Sequence, residues 1–372
     1  MSTLLAEQIR KSIEANGGKI TFADYMQQVL YTPGIGYYCK SDTPIGKHGD
    51  FITAPEISPI FAYCLANQLQ SIMQHLGSSS ILEFGAGNGS LVAELLKTLQ
   101  QREQLPEHYY IIELSASLQL QQRETVASQC PELLSRVIWL EHLPEKFNGI
   151  VIANEVIDAM PVHCFSYQQQ TIYERYVALD SDQFVWQLGA VSSPPLLHAI
   201  EKILAEVGPL PQPYTSEINF FIGPWLVSIE SILQSGVIFL IDYGFSRREY
   251  YHHDRHMGTL MCHQQHQAST DPFIRPGEHD LTAHVDFTAV AEAAVSASLN
   301  LAGYTTQAYF LLSCGITNYQ TDSELERQQL NHAIKKLTLP HEMGELIKVI
   351  AFTKNYPAPL MGFNWRDLSQ RL

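Results

Sequence analysis

Apolar residues recur at helical spacing over 4–15, where Leu4, Leu5, Ile9 and Ile13 fall on one face. Thr21, with Asp24 three positions on, predicts the N-cap of a second helix over 22–30. Tyr31-Thr32-Pro33-Gly34-Ile35-Gly36 ends that helix. A loop through Gly46 and Gly49 leads to a helix from Pro59 to Leu76. After Gly77 the pattern changes to short runs that are apolar throughout. These are Ile81-Leu82-Glu83-Phe84, Tyr109-Tyr110-Ile111-Ile112, Val137-Ile138-Trp139-Leu140, Gly149-Ile150-Val151-Ile152-Ala153 and Val237-Ile238-Phe239-Leu240-Ile241. Helical stretches such as 90–101 and 116–128 separate most of them. Continuous apolar runs are what a parallel sheet covered on both faces requires, and their alternation with helices predicts a doubly wound α/β fold.

The second half extends this pattern. A helix is expected over Thr288–Leu301, then strands at Tyr304–Phe310 and Lys348–Lys354, the last two paired antiparallel. Seven strands suit the class I methyltransferase version of the fold better than a six-stranded dinucleotide-binding sheet. Between strands four and five lies a long insertion with a hairpin (Val162–Tyr167 with Tyr173–Leu179), a proline-rich loop and a helix over 217–234. The expected organisation is an N-terminal helical region over 1–77 and a core over 78–160 and 235–356. A substrate-binding subdomain is inserted at 161–234, and a tail follows over 357–372.

Composition narrows the function. The chain has 372 residues, 45% of them apolar, and a formal net charge of −15. That acidity argues against nucleic-acid binding and against anionic membrane surfaces, and suits a basic protein partner. The six cysteines form no CxxC pair, so neither a zinc ribbon nor a thioredoxin-type redox motif is expected; they read as buried thiols in a reducing compartment. The start turns polar too soon for a signal peptide, and the longest apolar run is far short of a membrane span, so a cytoplasmic location is expected. The histidines lack HxH or HExxH spacing, and no Gly-x-Ser-x-Gly elbow is present, so neither a metal centre nor a hydrolase is expected.

The strongest local signal is Glu83-Phe84-Gly85-Ala86-Gly87-Asn88-Gly89-Ser90, a strand running through a glycine turn into a helix. Glycines let a ligand approach the main chain, and the helix start offers free N–H groups. A dinucleotide motif would place its third glycine at Ser90; here it falls at Gly89. Glu83 is placed to meet the ammonium group of S-adenosylmethionine, a group that a nicotinamide cofactor lacks. Glu113 ends the second strand, where a carboxylate can take both hydroxyls of a ribose. Asn154, Glu155 and Asp158 follow the fourth strand at the carboxyl edge of the sheet. Asp280, Thr282 and His284 form a polar cluster before a helix and are expected to bind substrate.

Three blocks together carry a family resemblance. The first is Gly36-Tyr37-Tyr38 with Gly49-Asp50-Phe51-Ile52-Thr53-Ala54-Pro55-Glu56-Ile57-Ser58. The second is the glycine loop with Ala153-Asn154-Glu155-Val156-Ile157-Asp158-Ala159-Met160-Pro161. The third is Ile241-Asp242-Tyr243-Gly244 with Gly258-Thr259-Leu260 and Pro276-Gly277-Glu278-His279-Asp280-Leu281-Thr282-Ala283-His284. The chain resembles the MidA family of S-adenosylmethionine-dependent methyltransferases, whose mitochondrial members assist assembly of respiratory complex I. The resemblance implies methyl transfer to an arginine of a protein, with a respiratory-complex subunit as the partner class and a homodimer left open. It implies that Asp50, Thr53, Pro55 and Glu56 close over the cofactor, joining Glu83, Gly85, Ala86, Gly87, Asn88, Gly89, Glu113, Leu114 and Asn154. Arginine is a poor nucleophile, so carboxylates on one side of its fork would leave another nitrogen richer in electrons. Glu155 and Asp158 are the candidates for this, with Asp242 as a third. The chain departs from the family at Ala62, Tyr63 and Met261. Two readings compete: a cofactor-binding assembly factor with little turnover, and a nicotinamide-dependent dehydrogenase.

Overall fold

A computed structural model describes residues 3–40, 53–264, 267–321 and 323–372. Seven strands form the central sheet: β1 (Ser80–Phe84), β2 (Tyr109–Ile112), β3 (Val137–Leu140), β4 (Phe147–Asn154), β5 (Leu233–Phe245), β6 (Asn300–Thr306) and β7 (Ile347–Lys354). Their spatial order is β6-β7-β5-β4-β1-β2-β3. The first five run parallel, and β7 lies antiparallel between β5 and β6. This is the class I methyltransferase sheet: the strands stay parallel across the β1–β4 pair, and it is the order of their addition that reverses there.

The all-apolar runs are explained by the two cores. Ile81, Ile111, Ile150, Ile152, Phe239 and Ile241 point to one face, under helices α1 (Ile60–Leu76) and α2 (Ser90–Gln101). Their neighbours Leu82, Val151, Ala153, Ile238 and Leu240 point to the other, under α3 (Ile222–Ile232) and α4 (Phe287–Ser296). With alternate side chains on opposite faces, a strand covered twice has no polar positions to spare.

The N-terminal helices, Thr3–Ala15 and Phe22–Tyr31, form a separate layer. Thr21 caps the second as expected, its hydroxyl oxygen accepting from the Asp24 N–H at 3.1 Å. Between these helices, Lys19–Thr21 pairs antiparallel with the inserted strand Thr171–Asp180, which in turn pairs with His163–Gln168 and Gln183–Gly189. The N-terminal region and the insertion therefore share one sheet and one apolar core.

Three expected elements shift. The helix expected over 217–234 begins at Ile222, because Tyr214–Ile218 pairs with His163–Gln168 and the Asn219 side chain then caps the Phe221 and Ile222 N–H groups. The helix expected to run to Leu301 stops at Ser296, where Ser298 turns into the left-handed region at φ 66°. Its N-cap is Asp286, which accepts from Thr288 and Ala289; Thr282 lies in a strand, Asp280–Ala283. The strand expected at 304–310 consequently lies at Asn300–Thr306, and Thr306 caps a helix over Gln307–Ser313. No helix among the described residues is long and apolar enough to cross a membrane.

Candidate functional site

A cavity of about 600 Å³ opens at the carboxyl edge of β1, β2 and β4. Its floor is the turn after β1. Gly85, Gly87 and Gly89 adopt φ of 61°, 53° and 85°, a conformation side-chain-bearing residues rarely take. Gly89 also packs against helix α5 (Ala116–Gln129); a Cβ there would lie 3.0 Å from the Gln122 Cα. Asn88 closes the turn, its side-chain oxygen accepting from the Ser90 N–H at 3.0 Å.

Two carboxyls flank this turn. Glu83, 2% exposed, accepts from the Tyr109 hydroxyl at 2.8 Å. Burial pushes its pKa up to about 7, against the pull of that hydrogen bond. Glu113 accepts from the Ser115 N–H at 2.9 Å and the Gln122 amide at 3.0 Å. Gln122 also donates to the Gly87 carbonyl at 2.9 Å and accepts from the Trp139 indole at 2.8 Å. One buried amide thus ties the glycine turn to the acid at the end of β2.

The third carboxyl is Glu155, directly after β4. Its backbone is left-handed, φ 54°, and its N–H donates to the Ile241 carbonyl at 2.8 Å. Its Oε1 accepts from the Asn154 amide at 3.2 Å and the Ala54 N–H at 3.4 Å. Burial, then the charge of Asp242, raises its pKa to about 8. A strained φ on a half-buried acid at a sheet edge marks a position held for its side chain.

The wall opposite the floor is the short helix Ala54–Ile57. Glu56 reaches back to the Thr53 N–H at 3.0 Å and accepts from Asn88 at 2.5 Å, linking this wall to the glycine turn. Of the residues expected to hold a cofactor, Glu83, Gly85, Ala86, Gly87, Asn88, Glu113, Leu114, Asn154, Thr53, Pro55 and Glu56 line the cavity, as does Glu155. Gly89 lies beneath as the N-cap of α2. Asp50 lies outside the described residues.

The other expected residues do not line it. Asp242, expected as a third catalytic carboxylate, turns both of its oxygens to backbone N–H groups behind the cavity wall. Its Oδ2 accepts from the N–H groups of Val156, Ile157 and Asp158 at 3.2, 2.8 and 3.2 Å, and its Oδ1 from Tyr243 at 2.8 Å. These bonds hold the turn that carries Glu155. Burial raises its pKa to about 7 while the four N–H groups pull the other way. Asp158 is buried behind this turn beside Asp242 and Asp280, and its pKa is pushed well up by burial and by their charges. Asp280 accepts from the Tyr38 hydroxyl at 2.7 Å, Thr282 sits in the same strand, and His284 stacks on Phe245 at 5.5 Å between centroids. Strand Asp280–Ala283 thus supports the cavity through Tyr38 instead of lining it.

Sequence reading missed an aromatic wall. Tyr31 and Tyr38 stack at 5.7 Å, and the Tyr31 hydroxyl donates to the Ala159 carbonyl at 2.9 Å. On the other side Trp225 meets Phe84 edge-on at 5.1 Å, with Phe221 and Met160 beside them. Tyr38 stood in a family block, but nothing in the sequence aimed it at this cavity.

The cavity's size, glycine turn and flanking carboxyls fit a nucleoside bearing a cationic tail, and with this strand order they define a class I S-adenosylmethionine-dependent methyltransferase. The comparisons agree. A sequence profile of the family described as "Putative S-adenosyl-L-methionine-dependent methyltransferase" matches residues 64–305, and the chain belongs to that family. A Burkholderia thailandensis protein crystallised with S-adenosyl-homocysteine is 40% identical, with a TM-score of 0.94 over 99% of this chain and 96% of that one. The Drosophila melanogaster homolog of the mitochondrial protein arginine methyltransferase NDUFAF7 is 28% identical, covering 97% of this chain and 88% of its own length. Homo sapiens NDUFAF7 is 29% identical, covering 90% and 80%.

Proposed function

We propose that the protein transfers a methyl group from S-adenosylmethionine to an arginine side chain of a protein partner, with Glu155 as the carboxylate that receives the guanidinium. The observation that carries this is Glu155 itself: a half-buried carboxyl on a strained backbone, at the cavity wall, with a pKa raised to about 8. The naming of curated relatives as protein arginine methyltransferases supports the substrate class.

In this reading Glu83 and Glu113 hold the amine and the ribose of the cofactor, and Gly85–Gly89 lets its chain lie against the backbone. The bound cofactor supplies an electrophilic methyl group on a sulfonium. Glu155 orients the guanidinium by accepting its N–H groups, which concentrates the positive charge on one side of the fork. As the nitrogen gains its methyl group it loses a proton, and a carboxyl with a pKa near neutrality is suited to take it. Asp242 acts behind the wall, where its four N–H bonds fix the turn that carries Glu155. Tyr31 and Tyr38 offer an aromatic face for the arriving side chain.

The test is a labelled-methyl assay on cell lysate, followed by mass spectrometry of arginine methylation with and without the protein. The family resemblance directs the search first to respiratory-complex subunits. Label on arginine that depends on the protein is expected; label confined to small molecules or to other residue types would overturn the arginine reading.

A further inference from the structure

A second cavity, about 650 Å³, lies at the same edge of the sheet but at its other end, and shares no lining residue with the first. Phe245 at the end of β5, Thr306 at the end of β6 and Lys348 near the start of β7 meet there. Four cations line it: Arg255, Lys348, Arg366 and Arg371. In a chain with 23 basic and 38 acidic residues, that concentration needs a reason.

Most of these cations lack a carboxylate. Lys348 is 6% exposed, and its ammonium donates to the carbonyls of Glu345 and Leu346; no described carboxylate lies within ion-pair distance of it. Burial lowers its pKa to about 8, against the charges of Glu249 and Glu345, which pull it up from beyond ion-pair distance. Arg366 donates to the Tyr309 hydroxyl at 2.8 Å, and Arg255 lies 3.9 Å over the Phe245 ring. Arg371 approaches Glu249 only to 3.6 Å. The carboxylates that also line the cavity, Glu249, Asp254 and Glu345, are exposed at its rim, and Asp254 faces His252 and His253. Tyr304 also lines the cavity. Tyr304 is 1% exposed, and this oxygen is buried without a hydrogen-bond partner. Buried hydroxyls are nearly always paired, so an orphan lining a cation-rich cavity points to an absent acceptor.

We propose that this cavity is a binding site for a small molecule carrying a phosphate or carboxylate group, bound by the buried Lys348 and Tyr304 side chains and by the exposed Arg366 and Arg371. Ammonium, guanidinium and phenol are all donors to an oxyanion, and charge-assisted bonds of this kind are the strong ones.

Calorimetry on the full chain tests this with inorganic phosphate and with citrate, each at constant ionic strength. At least one should bind saturably in the millimolar range. Saturation by phosphate alone assigns a phosphoryl ligand, and by citrate alone a carboxylate. Tyr304→Phe should weaken binding about tenfold, the worth of one hydrogen bond to a charged group. Lys348→Met should weaken it further, and S-adenosyl-homocysteine affinity should be unchanged in both variants. Because the hydroxyl has no partner, Tyr304→Phe without ligand should melt no lower than wild type, which separates lost binding from lost folding. No saturation by either anion, or equal affinity in wild type and both variants, overturns the proposal. Neither result bears on the methyl-transfer cavity.

Discussion

Replacing Gly89 with alanine strains the backbone and pushes on a hydrogen-bonded amide at once. The residue sits at φ 85°, which costs an alanine about 1–2 kcal/mol. The new Cβ would lie 3.0 Å from the Gln122 Cα and 3.2 Å from the Gln122 carbonyl oxygen, both backbone atoms of α5 that cannot swing aside. Helix α5 must retreat, and it carries the amide that holds the Gly87 carbonyl and the Glu113 carboxylate. Stretching a hydrogen bond to a charged group costs a further 1.5 kcal/mol or so, giving about 3 kcal/mol in total. We expect Gly89→Ala to lower Tm by several degrees and to weaken S-adenosyl-homocysteine binding at least tenfold, read by thermal melting and calorimetry. Gly85→Ala is the control. Its Cβ would meet only the Val156 Cγ2 at 3.1 Å, a side-chain tip, so its stability loss should be smaller. A Gly89→Ala protein with wild-type affinity and Tm refutes the reasoning. One that loses stability but keeps affinity shows that Gln122 does not couple the turn to Glu113.

Glu155→Gln should leave S-adenosyl-homocysteine affinity within about threefold while cutting methyl transfer a hundredfold or more, as expected for a lost charge and proton acceptor; turnover near wild type would remove Glu155 from the chemistry. Tyr109→Phe takes the donor from the buried Glu83 carboxyl, so it should cost about 1–3 kcal/mol in chemical denaturation and weaken cofactor binding at neutral pH, and an unchanged affinity would count against Glu83 as the ammonium's partner. Glu83 and Glu155 keep protons in the folded state above their unfolded pKa, so the stability they contribute is present below that value and is lost as pH rises through about 7 to 8. Tm of the free protein should therefore fall from the ordinary carboxyl range near 4.5 up to about pH 8 and then level off, and the gain in Tm from S-adenosyl-homocysteine, whose ammonium neutralises a carboxylate, should widen over the same range; a Tm that rises there contradicts both shifts.

The parts legible in the sequence are those with a local pattern. Ile81 and Leu82 are adjacent yet enter opposite cores, so an unbroken apolar run announced a strand covered on both faces. The glycine turn was legible because positive φ at Gly85, Gly87 and Gly89 restricts residue type. What escaped depends on distant segments meeting. Tyr31 bonds to Ala159 and Tyr38 to Asp280, 128 and 242 positions away, and no periodicity encodes either meeting. Asp242 carried the chemistry of a catalytic acid in the sequence; only the three N–H groups from residues 156–158 reveal a brace.

The most direct test of the account is a crystal structure of the protein with S-adenosyl-homocysteine and an arginine-containing peptide. The account predicts the ribose hydroxyls on Glu113, the amine at Glu83, and the guanidinium against Glu155 facing the sulfur. Nucleoside density away from the 85–89 turn, or a guanidinium that leaves Glu155 untouched, would contradict it.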